Sequence, residues 1–319
     1  MNWRSWRVRG WVVVGLYAAC LALALARSDR KSSRPSARPA AAKPGSAPTF
    51  ASDGAIAVVD LRGPIALGRG GGLRDGTADG VLRRLRELRE QSEVKAVVLR
   101  INTPGGTVAS VQEIHGAVLA LKGDGKKVVA SLGDIAASGG FYVAAAADRI
   151  VANPGSLVGS IGVVFHLMNF EELTKKIGVQ ATVIKSGAMK DMGSPYRPLS
   201  AEERRVFEGL VASAYGQFLE AVARGRKMPL DQLRPLADGR VFTGEQARAA
   251  GLVDALGSYD DALKEAAALA GIKSAHPKII GPVRSWDRWL EAFGGLFEGP
   301  LGEWRRLLGV RGSLLYVWE

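Results

Sequence analysis

The chain has 319 residues, 47% apolar and 23% charged, so most of it is set to fold around a substantial core. Its formal charge of +12 points first to nucleic acid. However, residues 1–50 hold nine Lys/Arg and one acid, Asp29, leaving only +4 for residues 51–319, where no basic cluster is interleaved with aromatics; this argues against a nucleic-acid partner.

One cysteine, Cys20, precludes an intrachain disulfide. The histidines, His115, His166 and His276, lie far apart, and no HExxH, CxxC or His/Asp cluster accompanies them. Nothing here indicates zinc, and no cofactor is implied.

Residues 1–9 are basic, with Arg4, Arg7 and Arg9 preceding an apolar run at 10–26, GWVVVGLYAACLALALA. Its length is near the lower limit for a bilayer-spanning helix. The expectation is a retained transmembrane anchor. Cleavage after Ala26 is the second reading, because Ala24-Leu25-Ala26 is a small-x-small site. Lipidation of Cys20 is the third, and Tyr17-Ala18-Ala19 fits it poorly. Residues 27–54 are rich in Pro, Ala, Ser and basic residues and read as a tether beside anionic lipid.

From Ala55 the pattern alternates between strand and helix. Ala55–Leu61, Val94–Ile101 and Lys127–Leu132 are apolar runs of buried-strand type. Ala78–Gln91 and Val108–Leu121 read as the intervening helices; in the first, Val81, Leu82, Leu85 and Leu88 fall near one face. Arg149–Ala152, Ile161–Val164 and Thr182–Ile184 add short strands. Ala201–Arg224 is a long helix with Ser200 and Glu203 as its capping box, and Tyr259–Ala270 is another helix. The alternation predicts an α/β fold with a mostly parallel sheet and flanking helices.

Two Gly-rich turns each follow a strand and precede a helix: Asn102-Thr103-Pro104-Gly105-Gly106 and Ser138-Gly139-Gly140. In open parallel sheets, sites form beyond the carboxyl ends of strands. Small residues around Ser138 leave room for an extended chain to approach. A serine hydroxyl needs a base. Three candidates stand downstream: His166 in an apolar run, and Lys190 and its rival Lys185 in KSGAMKDMGSP (185–195). A lysine can act as base where burial lowers its pKa.

Five blocks stand in order: RINTPGG (100–106), DIAASGGFYVA (134–144), NPGSLVGSIGV (153–163), KSGAMKDMGSP (185–195) and DGRVFTGEQARAAGLVDALGSYDDAL (238–263). Together they resemble the signal peptide peptidase A family, serine proteases related in fold to the Clp protease subunit and the crotonases. The resemblance covers residues 55–275 and implies a membrane-anchored serine endopeptidase with one catalytic domain. By position it implies Ser138 as nucleophile and Lys190 as general base. It also implies an oxyanion hole from Gly139 and the PGG turn, with Gly105 preferred over Gly106, and a supporting role for Ser160. Asp191, next to Lys190, is expected to point elsewhere, since an adjacent carboxylate would favour the charged amine.

The same resemblance implies a ring-like homo-octamer in which one subunit's serine meets its neighbour's lysine. It places the chain in a bacterial cytoplasmic membrane as a single-pass protein, with the catalytic domain on the extracytoplasmic side. Ile135, Leu157, Val158, Ile161, Val163 and Val164 are expected to wall the groove. Such walls suit hydrophobic, unfolded peptides such as remnant signal peptides, bound as an added strand. A crotonase-like acyl-CoA enzyme is the alternative, and it would need an acid/base carboxylate in the crevice. Residues 276–319 hold four of the seven tryptophans and read as an amphipathic tail for subunit packing, with membrane contact or groove occupancy as alternatives.

Overall fold

A computed structural model describes residues 53–68 and 78–281. The proposed anchor at 10–26, nearly all of the tether and most of the tail lie outside the described residues. No helix among the described residues is long and apolar enough to cross a membrane.

The chain builds β1 (Ala55–Arg62), α1 (Ala78–Glu90), β2 (Val94–Thr103), α2 (Val108–Gly123) and β3 (Lys127–Ala137). Then come α3 (Gly139–Ala144), β4 (Arg149–Ala152), β5 (Leu157–Gly159) and α4 (Glu171–Lys176). The long helix α5 (Ala201–Arg226) and the short α6 (Leu230–Leu233) lead to β6 (Val241–Thr243) and α7 (Gly244–Ala249). Last come β7 (Ala255–Leu256), α8 (Tyr259–Leu269) and β8 (Lys278–Ile280).

The strands form one sheet in the order β6-β5-β3-β2-β1-β8, with β4 pairing both β3 and β7. Every pair is parallel except β5–β6. Both faces are covered, which is why the strands read as continuous apolar runs. Val59, Leu99 and Ile101 face α1 and α2, meeting Leu85, Leu88, Ile114 and Val118. Ile56, Val58, Val98 and Val129 face the other way, onto Ala262 and Ala266 of α8.

The sheet forks at Gly133–Asp134, and this fork positions the site. The first half of β3 pairs with β4, from Val129 to Leu132, and the second half with β5, from Ile135 to Ala137. Side chains satisfy the backbone groups that the fork strands. Asn102 Oδ1 accepts the Ile135 N–H at 3.1 Å, and Ser156 Oγ donates to the Gly133 carbonyl at 2.6 Å.

Two expected strands do not form. Ile161–Val164 and Thr182–Ile184 have the right composition, but no strand among the described residues pairs with them. The sheet strand falls earlier, at Leu157–Gly159, because Ser160 (φ 51°) turns the chain away from the sheet and β6 fills the remaining edge of β5. The segment from 164 to 184 therefore lies on the surface with Val164, Met168, Ile177 and Val183 exposed, and Ile184 98% exposed.

Candidate active site

Ser138 follows β3 and caps α3 with φ 52° and ψ −119°, in a region that favours glycine. Such a conformation costs about 1–3 kcal/mol and persists only where its surroundings over-determine it. The surroundings here do so. The Ser138 N–H donates to the Gly159 carbonyl at 2.8 Å, and its carbonyl accepts the Tyr142 N–H at 2.9 Å. A Cβ on Gly139 would stand 2.5 Å from Val111 Cγ2, and one on Gly140 would stand 2.6 Å from Thr103 Cγ2. The residues beside the serine are small because two other elements press against them.

One of those elements is the turn after β2. A Cβ on Gly105, at φ 106°, would lie 2.8 Å from the Gly139 nitrogen and 2.9 Å from Ser138 Cβ. Thr103, fully buried, ties the turn down: its hydroxyl donates to the Gly63 carbonyl at 2.5 Å and accepts the Gly105 N–H at 3.1 Å. Ile65 grips the other side, with its N–H donating to the Gly105 carbonyl and its carbonyl accepting the Thr107 N–H, both at 2.9 Å. Gly106 is pinned between them, since a Cβ there would stand 1.8 Å from the Ile65 oxygen.

This lacing distinguishes the two amides of the turn. The Gly105 amide is already engaged by Thr103, whereas the Gly106 N–H has no acceptor among the described residues. Gly139 is the first residue of α3, so its N–H has no intrahelical acceptor either. The two amides are neighbours: a Cβ on Gly139 would stand 3.2 Å from the Gly106 nitrogen.

A cavity of about 130 Å³ opens at Ser138, walled by Val108, Val111, Tyr142, Val163, Ala214 and Phe218. Of the expected wall residues, Val163 and Val164 line it. Val158 and Ile161 belong instead to the core, and Ile135 and Leu157 lie elsewhere. Tyr142 packs its ring 4.9 Å from Phe218 and 5.0 Å, edge-on, from His115. Burial first, then Arg224 and Lys122, push the His115 imidazole down to about 4, so it is neutral near pH 7. A second apolar cavity, of about 570 Å³, lies against the same Gly162–Val164 stretch and reaches Phe165, Phe207 and Tyr215. Ser160 is half-buried next to Gly159, and its N–H donates to the Arg240 carbonyl at 2.8 Å.

The candidate bases are not equivalent. His166 is exposed in the surface segment. Lys185 is committed locally, donating to Asp191 Oδ1 at 2.5 Å and to the Ala188 carbonyl at 3.0 Å. Lys190 sits exposed in a turn with no partner for its ammonium among the described residues, and it does not line the Ser138 cavity. Asp191 turns away from it, toward Lys185 and Arg197. No group of three His, Cys, Asp or Glu capable of holding a metal occurs among the described residues.

Comparison with known proteins gives the family. The model of peptidase family S49 matches residues 120–273, and that of Clp protease matches residues 64–156. A protein of Synechocystis sp., to which a protease role is attributed, is 45% identical over 217 residues, covering 68% of this chain and 75% of its own. The chain belongs to peptidase family S49. Protease 4 of Salmonella typhi is 38% identical over 70% of this chain, and the chloroplastic serine protease SPPA of Arabidopsis thaliana is 37% identical over 68%. The matched parts are 36% and 32% of those longer proteins. As an S49 member the protein is a serine peptidase with a Clp-protease-like α/β fold.

Sequence reasoning missed Thr103, Ile65, Tyr142, Ala214 and Phe218. Thr103 lies within RINTPGG (100–106), where its hydroxyl is legible in the sequence. Ala214 and Phe218 approach through α5, about 80 residues downstream of Ser138, and carry no local signal.

Proposed function

We propose that the protein is an endopeptidase that cleaves hydrophobic, unfolded peptides, such as remnant signal peptides, with Ser138 as nucleophile and Lys190 as general base. The observation that carries the reading is the strained Ser138 turn facing two unengaged amides, those of Gly106 and Gly139. A neutral Lys190 amine takes the Ser138 proton as Oγ attacks the substrate carbonyl. The developing oxyanion accepts hydrogen bonds from Gly106 and Gly139, each contributing about 3 kcal/mol to lowering the barrier. The lysine then returns the proton to the leaving amine and activates the water that frees the acyl-enzyme.

Lys190 comes from a neighbouring subunit. Two facts support this: it is exposed in the single chain, and no lysine among the described residues lines the Ser138 cavity. Covering the exposed apolar segment 164–184 in a ring would also bury the amine and favour its neutral form. The cavity at Ser138 takes an apolar side chain, and the extended chain on either side lies against Gly162–Val164. The apolar run at 10–26 anchors the assembly in the cytoplasmic membrane, with the peptidase body outside. The acyl-CoA alternative lacks support, since no Asp or Glu among the described residues lines the Ser138 cavity.

Mixing Ser138→Ala with Lys190→Ala chains tests both the dyad and its sharing. Each variant alone is inactive on a fluorogenic peptide, and mixed rings regain part of the activity. No recovery after co-assembly argues against a shared site, and activity in Lys190→Ala alone removes the base.

A further inference from the structure

Lys190 is followed by an acid that does not pair with it. Asp191 Oδ2 accepts Arg197 Nε at 3.1 Å, and Oδ1 accepts Arg197 Nη2 at 3.0 Å and Lys185 Nζ at 2.5 Å. Arg197 Nη2 also donates to the main-chain carbonyl of Asp191 at 3.2 Å, so the guanidinium grips backbone and side chain together. Its other edge holds Glu203: Nη1 donates to Oε2 at 2.9 Å, and Nη2 donates to Oε1. Glu203 is 2% exposed and accepts the Ser200 N–H at 2.9 Å, while Ser200 Oγ accepts the Glu203 N–H at 3.1 Å. A hydrogen-bonded path therefore runs from the first turn of α5 to the residue beside Lys190.

The charges match the geometry. Lys185 and Arg197 balance Asp191 and Glu203, and these are the charged groups brought onto the cluster. Arg197 first, then Lys185, holds the Asp191 carboxyl well below the usual carboxylate range. Arg197 and the Ser200 amide hold Glu203 down to about 2. Both carboxylates are thus ionised and spoken for. The planar fork, with five fixed donors, makes two contacts to each carboxylate and still reaches a carbonyl; an ammonium, with three donors, would serve as a point charge.

We propose that Arg197 is a positioning residue for Lys190: it ties the Asp191 carboxylate to helix α5, fixes the turn that presents the lysine, and keeps negative charge off the neighbouring amine. The proposal rests on the reading of Lys190 as the base.

The test is the pH dependence of kcat/KM for the full chain on a fluorogenic peptide. A lysine base makes activity rise with pH as the amine loses its proton. Arg197→Gln leaves Asp191 with Lys185 alone and free to attract Lys190. The ascending limb then moves up by about one pH unit, a roughly tenfold loss below the limb. Arg197→Lys keeps the charge without the fork and gives a smaller move. Adding Asp191→Asn to either variant brings the limb back. A limb that stays put while activity falls equally at every pH, or one that Asp191→Asn does not restore, overturns the proposal. Thermal melts identify a variant that fails to fold. If Arg197→Gln is such a variant, Arg197→Lys with and without Asp191→Asn carries the test. Full activity in Lys190→Ala overturns the underlying reading, and a dead Lys190→Ala with an unmoved limb in Arg197→Gln overturns only the positioning role.

Discussion

The surroundings of Ser138 and the loop that carries Lys190 are built by opposite means. Ser138 is held by the sheet: a forked strand, two glycine turns pressed together, and backbone hydrogen bonds on either side. Lys190 has no sheet behind it. Its loop is held by side chains, through Lys185, Asp191, Arg197 and Glu203, and it ends in solvent. A nucleophile that must be met within a few tenths of an ångström by an oxyanion hole is set by the most rigid part of a fold. On the proposed reading the base is carried on a surface loop, where ion pairs fix its shape.

That contrast can be broken at several points. The largest effect is at Ser138. Replacing it by Ala or Gly lowers peptide hydrolysis by roughly 10³-fold or more, and the melts of the two variants differ. Ser138→Gly relaxes the left-handed backbone (φ 52°) and is more stable by about 1 kcal/mol. Equal melts for the two would mean that the serine is not strained.

Next is Gly106→Ala, where the new methyl meets the Ile65 carbonyl and moves the free amide; kcat falls about 10²–10³-fold with less change in KM. Unchanged kcat would return the donor role to Gly105. The effect of Ala214→Leu is smaller and selective. It fills the cavity of about 130 Å³ and lowers kcat/KM for peptides with large cleavage-site side chains by about tenfold, sparing alanine. Equal loss for both would mean that this cavity does not receive the side chain.

The smallest effect is the response of stability to acid. The Glu203 carboxyl falls from 4.5 to about 2 on folding. Its contribution is therefore complete above pH 4.5 and drains away as pH drops toward 2. The His115 imidazole falls from 6.5 to about 4, so it costs stability over the higher window, as pH drops from 6.5 to 4. Melts of Glu203→Gln and His115→Asn against wild type separate the two windows. Parallel curves in either would assign that group no titration in the fold.

The first region was far more legible in the sequence than the second. Alternating apolar runs gave β1, β2 and β3 with the helices between them, because both faces of a parallel sheet are buried and periodicity survives. The glycine turns stood out for the same reason that they matter, since backbone approaches backbone there. Which amide of the Gly105–Gly106 turn is free was not legible, because an engaged amide and a free one look alike until Thr103 is seen beneath them. In the second region composition misled. Ile161–Val164 and Thr182–Ile184 have strand propensity, but a strand exists only where a partner edge is free, and no string of residues announces that. The Ser200–Glu203 capping box was readable by its spacing; that its glutamate also anchors Arg197 was not.

Helix α5 spans both regions. Its 26 residues run about 39 Å at 1.5 Å each. Its first turn holds Glu203, its middle lends Ala214 and Phe218 to the pocket, and Gly225 near its end lies so close to α3 that a Cβ there would stand 1.9 Å from the Ala145 oxygen. It is thus a ruler whose graduations are tied at both ends. One alanine inserted near Gly209 would twist everything beyond it by about 100°, so the cap or the pocket could keep its register, but not both.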